Sequence, residues 1–291
     1  MTGANAGLGY QLSATLARQG AHVLMACRSP DRAERAREQL LADVPGARAT
    51  ILPLDLASPA SIRGLGALVS QHAGQLDLLI HNAGVFGVPL ARTDAGHEMH
   101  FATNYLGPFA LTGVLTPFFR DAEGSRIVFV GSLAHRLFRL RLDELNFQTG
   151  YQKWAAYGRS KLALMAYTLE LNRRLRTRGS KIIALSAHPG FAPTEGAFAM
   201  TAANYKSALG KWFVKKVAPM LPSVAQAAAP ILHAAYGSDV LGGEYYGPSG
   251  WLEIAGAVGR ARLNKQAHDA SLATKLWSHS EQLTGVRYLS D

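Results

Sequence analysis

The chain has 291 residues, 48% of them hydrophobic, with a formal net charge of +10. This composition excludes a disordered chain. No run approaches the ~18 uninterrupted apolar residues of a membrane span, and no basic-then-apolar signal pattern opens the sequence. Cys27 is the only cysteine, so an internal disulfide is excluded and a reducing cytoplasm fits.

The positive charge is spread. Arg32, Arg35 and Arg37 lie early, and Arg173, Arg174, Arg176 and Arg178 lie late. Without a long run of like charges, the simplest reading is a solvated surface. Nucleic acid is not an expected partner, and an anionic small molecule needs only one or two of these residues.

Short apolar runs alternate with longer helical patterns. The chain opens on Thr2-Gly3-Ala4-Asn5-Ala6-Gly7-Leu8-Gly9, followed by a helix expected over 11–18. Such glycines allow a tight turn and close approach to a pyrophosphate, while the next helix directs free N–H groups at it. Ala21 to Ala26 reads as a strand ending on Ala26-Cys27-Arg28. An acid at that position serves the ribose 2′-hydroxyl of NAD. Arg28 instead suits a 2′-phosphate, so NADP(H) is favoured over NAD(H). A helix over 31–42 follows, with Asp31 in its first turn. Thr50 to Leu54 reads as an edge strand, because Pro53 cannot donate a ladder bond.

After a helix at 59–72, Leu76 to Ile80, Arg126 to Val130 and Lys181 to Leu185 are apolar enough to be buried on both faces. Helices over 97–119 and 155–176 separate them, and Gly243 to Tyr246 reads as the last strand. This alternation predicts an α/β fold of three layers, a doubly wound, Rossmann-like parallel sheet. A single domain over 1–291 is expected, with an insert at about 191–222 beyond a strand's carboxyl end, where such sheets bind ligands. Phe191, Phe198, Met200, Tyr205 and Trp212 there would pack the insert onto the domain or help cover a ligand.

Tyr157 and Lys161 are four apart in a helical stretch and share a face. A free phenol titrates near ~10, and a nearby ammonium favours its ionised form. Ser132 follows the 126–130 strand and can donate a hydrogen bond to a substrate oxygen. A hydrolase elbow is absent around Ser132. His97 and His100 lie at metal-ligand spacing, but no third ligand is suggested. They read as a partly exposed helix face, and no metal is expected. His135 and His188 flank these segments, in contact with substrate or in a structural role.

In these residues the chain resembles the short-chain dehydrogenase/reductase family, most closely its retinol dehydrogenase-like branch. Thr2–Gly9 matches the glycine motif, with Gly3, Asn5, Gly7, Leu8 and Gly9 at the cofactor. Asn82, Ala83 and Gly84 match the motif after the fourth strand. Asn104, Ser132, Tyr157 and Lys161 match the tetrad. His188-Pro189-Gly190 and then Thr194 match the segment touching the nicotinamide end. Ala26-Cys27-Arg28, Ser160-Lys161-Leu162-Ala163 and Gly247-Pro248 resemble the branch.

The resemblance implies hydride transfer between NADP(H) and a small apolar carbonyl or alcohol. Tyr157 would be the acid/base, and Lys161 would lower its pKa and bind the nicotinamide ribose. Ser132 would polarise the substrate oxygen, and Asn104 would anchor a relay water through its helix backbone. Asp55 and Leu56 would lie by the adenine, and Pro189, Gly190 and Thr194 at the nicotinamide. A homo-oligomer is compatible with this reading, and a weaker likeness to protochlorophyllide reductases keeps double-bond reduction open. A non-catalytic NADP-binding sensor and a nucleic-acid binder are the alternative classes. His81 stands where many family members have asparagine. The family also places a central strand just before the glycine motif, of which Met1 would be about the last residue. The missing apolar residues are worth about 1.5–3 kcal/mol each when buried, so a start further upstream, or a truncated inactive family member, is expected.

Overall fold

A computed structural model describes residues 1–191 and 222–290. Among them lie α1 (Gly7–Arg18), β1 (His22–Cys27), α2 (Pro30–Asp43), β2 (Arg48–Pro53), α3 (Pro59–His72) and β3 (Leu78–His81). A helical segment then runs through α4 (Met99–Phe101), a π turn (Ala102–Leu106) and α5 (Gly107–Leu115). There follow β4 (Arg126–Val130), α6 (Lys153–Thr177), β5 (Ile183–Ala187), α7 (Val224–Tyr236), β6 (Tyr245–Pro248), β7 (Val258–Arg260) and α8 (Ala270–Thr284).

Strands β3-β4-β5-β6 pair in parallel, in that order, and β7 closes the edge antiparallel to β6. β1 and β2 pair in parallel as a separate two-stranded sheet. Between the two sheets lies Met1-Thr2, where the last residues of a central strand were expected. Thr2 bridges Ala26 in parallel, its N–H donates to Ile80 O at 3.0 Å, and Ala26 N–H donates to Met1 O at 2.9 Å.

Helices cover both faces, as the continuous apolar strands require. One core layer joins Leu79, Ile127 and Phe129 to Phe109, Leu164, Tyr167 and Trp277. The other joins Ile80, Val128 and Leu185 to Leu12, Leu40 and Ile231. The alternation of these residues along β3 and β4 assigns α3, α5, α6 and α8 to one face and α1, α2 and α7 to the other. The expected doubly wound α/β architecture is therefore present.

Several boundaries differ from the pattern-based expectation. α1 begins at Gly7, because the glycine turn passes directly into the helix. β3 begins two residues late, since Leu76 pairs instead with Phe119. β5 lies two residues downstream of its expected position. Tyr245 to Pro248 is followed by β7, so it is not the last strand. The stretch 97–119 is not one helix but is broken by the π turn. α7 and α8 were not expected at all, although Ser223 and Gln226 form a capping box at the start of α7. The expected insert lies almost wholly outside the described residues, as do Thr194, Phe198, Met200, Tyr205 and Trp212.

Candidate functional site

The glycine turn is shaped by what surrounds it. Gly3 and Gly7 adopt φ of 63° and 49°, in the left-handed region that favours glycine. A Cβ on Gly9 would stand 2.0 Å from Gly3 O, so α1 packs against the turn only without a side chain. Ala6 offers no side-chain cap to α1, which leaves the first N–H groups of the helix free for an anion. Asn82 fixes the turn from the other side. Its Nδ2 donates to Thr2 O and Gly3 O, both at 3.1 Å, and the N–H groups of Asn82 and Ala83 donate to Thr2 Oγ1 at 3.0 Å.

Arg28 is exposed just beyond β1, and Asp31 lies in the first turn of α2. Cys27 is buried, and burial pushes its thiol up despite hydrogen bonds from Ala4 and Asn5 and the charge of Arg32. Asp55 Oδ1 accepts from Ala57 N–H at 2.9 Å. Leu56 is buried, and its carbonyl would be 2.5 Å from a Cβ on Gly107.

The tetrad residues converge. The Ser132 side chain lies close enough to the Tyr157 phenol to lower its pKa. Lys161, one turn along α6, is buried and its Nζ donates to Val130 O at 2.7 Å. Asn104 sits inside the π turn, where a helix carries an extra residue, a distortion common at functional sites. Its Oδ1 accepts from Val85 N–H at 2.8 Å, and its Nδ2 donates to Val85 O at 2.9 Å and Ser160 Oγ at 3.0 Å. Ser160 in turn donates to Tyr157 O at 2.7 Å. Gly84 lies against this group, since a Cβ there would be 3.0 Å from Asn104 Oδ1.

The electrostatics differ from expectation in one respect. Tyr157 is only half-buried by exposed area, yet it is densely surrounded. Burial raises its phenol above the ordinary value, and the neighbouring Ser132 side chain offsets this only in part. The lowering expected from Lys161 is absent here, because the ammonium is directed to Val130 O. Burial in turn lowers Lys161 from 10.5 to about 8.

Both flanking histidines are fully buried, which favours their structural role. His135 Nδ1 donates to Ser132 O, and its Nε2 accepts from Asn264 N–H at 3.3 Å. His188 Nδ1 accepts from Gly190 N–H at 3.1 Å, so its Nε2 carries the proton and donates to Glu253 at 3.1 Å. Burial lowers each ring from 6.5 to about 4. Gly190, beside Pro189, takes φ of 70° with Ile254 O 2.2 Å from where a Cβ would stand.

Other residues at the site were not singled out from the sequence. Phe86 meets the Tyr157 ring edge-on at 4.6 Å, and Trp154 meets Phe86 at 4.9 Å. Trp154 lies three residues before Tyr157, a spacing that could have drawn notice. His100 is not on an exposed helix face. It is wholly buried beside Tyr157, at 6.1 Å between ring centroids, and its Nδ1 is 2.7 Å from Glu98 Oε1. Among the described residues, no cluster of His, Cys, Asp and Glu could hold a metal ion.

The glycine turn, the Asn-Ala-Gly segment and the Ser132–Tyr157–Lys161 group thus meet along the carboxyl ends of parallel strands, and the short chain dehydrogenase family model matches residues 1–204. The chain belongs to the short chain dehydrogenase family of oxidoreductases. Within it, the chain is similar to retinol dehydrogenases. It is 33% identical to retinol dehydrogenase 12 of Mus musculus, over 99% of this chain and 86% of that protein. It is 35% identical to retinol dehydrogenase 13 of Homo sapiens, over 98% and 84%. Polyprenol dehydrogenase of Mus musculus is also 35% identical, over 98% and 83%. Among solved structures, an uncharacterized protein from Mycobacterium paratuberculosis superposes with a TM-score of 0.79 at 34% identity, over 99% of this chain and 92% of that one. L-Sorbose reductase from Gluconobacter frateurii, in complex with NADPH and L-sorbose, shares the fold at a TM-score of 0.68 and 20% identity, over 84% and 92%.

Proposed function

We propose that this protein transfers a hydride between NADP(H) and an apolar alcohol or carbonyl compound. The observation that carries the reading is the Ser132 side chain beside the Tyr157 phenol, with buried Lys161 one helical turn away on α6. The cofactor supplies the hydride when bound. The cradle fits it: Gly3, Asn5, Gly7, Leu8 and Gly9 would hold the pyrophosphate at the uncapped start of α1. Asn82, Ala83 and Gly84 would line the adjoining wall, and Asp55 and Leu56 the adenine end. Arg28 would pair with the 2′-phosphate, which favours NADP(H) over NAD(H). Pro189, Gly190 and Thr194 would close on the nicotinamide end.

Tyr157 would give its proton to a carbonyl oxygen, or take one from an alcohol, while Ser132 polarises that oxygen. Its raised pKa keeps the phenol protonated in the free protein. Lys161 would leave Val130 O for the ribose and then favour the phenolate. Asn104 would anchor the relay water through the backbone freed by the π turn. Phe86, Trp154 and exposed Phe191 offer an apolar approach to Tyr157, and the names of the retinol and polyprenol dehydrogenases point to apolar alcohols. A single-domain protein acting in the cytoplasm remains part of this reading.

The test is turnover of an apolar aldehyde, ketone and alcohol panel with NADPH and NADH, in wild type and Tyr157→Phe. NADPH should support turnover well above NADH, and Tyr157→Phe should lose at least about a hundredfold in kcat while still binding NADPH. Full activity in Tyr157→Phe refutes the acid/base role. Turnover with NADH alone refutes the cofactor assignment.

A further inference from the structure

A short turn, Trp251–Glu253, connects β6 to β7 beside the Pro189–Gly190 segment. Two consecutive residues in it, Leu252 and Glu253, have φ of 52° and 57°. Residues other than glycine occupy that region against a steric penalty, and persist there when surrounding contacts over-determine them. Here the contacts come from three directions and meet on one carboxylate. Glu253 Oε2 accepts from His188 Nε2 at 3.1 Å and also pairs with the Arg136 guanidinium. Its Oε1 accepts from Arg262 N–H at 3.3 Å, while Arg136 Nε donates to Arg262 O at 2.8 Å.

The two side chains that Glu253 grips belong to different turns of the site. Arg136 is in the 3₁₀ turn Leu133–Leu137, capped by Ser132 itself. His188 leads into Pro189-Gly190 and holds Gly190 N–H through Nδ1. The next peptide is tied to the same turn, because Phe191 N–H donates to Ile254 O at 3.1 Å. Tyr245 fills the space between, with ring centroids 5.3 Å from His135 and 5.1 Å from His188. Its hydroxyl presses on Gly131, where a Cβ would be 2.6 Å away.

We propose that Glu253 is a positioning residue that latches the Ser132 turn to the Pro189–Gly190 turn. It fixes the hydroxyl that polarises the substrate relative to the segment that closes on the nicotinamide end. The latch rests on the reading of the site as a reductase. Its value lies in geometry: a misplacement of about 1 Å between reacting groups lowers a rate by about a hundredfold. The pair is largely buried, with side-chain exposures of 25% and 15%, so breaking it should also cost stability, and turnover is compared at a temperature where each variant is folded.

The test uses the full chain as wild type, Glu253→Gln, Arg136→Gln and the double variant. Glu253→Gln keeps an acceptor for His188 but loses the charge that holds Arg136. Its kcat should fall between about 10- and 100-fold, with NADPH affinity close to wild type and a lowered melting temperature. The double variant should be no slower than the worse single one, since both break the same contact. Hydrogen exchange supplies a readout independent of turnover: peptides covering 132–137 and 188–191 should both exchange faster in Glu253→Gln.

Unchanged kcat and unchanged exchange in folded Glu253→Gln overturn the proposal, as does multiplication of the two single losses in the double variant. If Glu253→Gln does not fold, Arg136→Gln answers the same question from the more exposed side of the pair. If the wild type turns over nothing, the reductase reading fails, and exchange in the two peptides alone decides the latch.

Discussion

Lys161 is the residue at which burial and chemistry oppose each other most plainly. It stands one helical turn from Tyr157 and is nearly enclosed; among the described residues its ammonium is held by Val130 O, and burial lowers its pKa to about 8. The charged form is present below that value and is lost as pH rises through it. Affinity of the free protein for NADPH should therefore weaken between about pH 7 and about pH 9, and Lys161→Arg, which keeps its charge, should remove that step. Fluorescence titration at several pH values measures this; a flat profile in the wild type would sink it. That Tyr157, Lys161, Ser132 and Asn104 come together was legible in the sequence because each sits in a short local motif. Glu253 and Tyr245 were not. Their partners lie 65 and more than 100 residues away in the chain, at His188 and at Gly131, and no spacing rule reaches that far.

The elements carry a second kind of information. α4 starts on Glu98, whose side chain caps Phe101 N–H at 2.8 Å, holds His100 at 2.7 Å and lies 3.4 Å from the Tyr151 hydroxyl. Burial alone would raise this carboxyl, but the hydrogen bonds from His100 and from the backbone of His100 and Phe101 outweigh it and hold it below the ordinary range. Glu98→Ala leaves buried donors without acceptors, and should lower the unfolding free energy by about 2–5 kcal/mol. Glu98→Gln, which keeps one acceptor, should lose less. Urea unfolding separates the two, and equal losses would show that capping geometry is not the cause. The apolar runs predicted β3, β4 and β5 to within two residues. They could not predict the π turn, since the extra residue at 102–106 leaves the helical pattern intact on both sides. α8 escaped notice because its buried stripe, Ala273, Leu276, Trp277 and Ser280, is broken by polar residues on every turn.

For the whole molecule, acidity should be the sharper stress. His81, His135 and His188 are buried neutral, lowered by burial from 6.5 to about 3, about 4 and about 4. The unfolded chain takes up these protons below about 6.5, and the folded one only near its own lower values. Stability is therefore complete above about 6.5 and is lost as pH falls toward 4. Each ring contributes on the order of 3 kcal/mol to that loss, and a whole domain holds only about 5–15 kcal/mol. The melting temperature should drop steeply between about pH 6.5 and about pH 4. His81→Asn should flatten the fall, since asparagine does not titrate and can still donate to Thr112, now 3.0 Å from His81 Nε2. A melting temperature unchanged across that range would contradict the argument.

The last part of the chain completes the first core. Tyr105 reaches Ser280 at 2.6 Å, and the Tyr288 hydroxyl lies 2.6 Å from that of Tyr167 and donates to Phe109 O at 3.1 Å. Trp277 fills the space among Phe109, Tyr167 and Tyr288. During synthesis, then, α5 and α6 leave the ribosome with an uncovered aromatic face that must wait more than 100 residues for its cover. Over that interval the nascent chain should present a sticky surface to its neighbours, and shielding by chaperones should raise its yield in a cell.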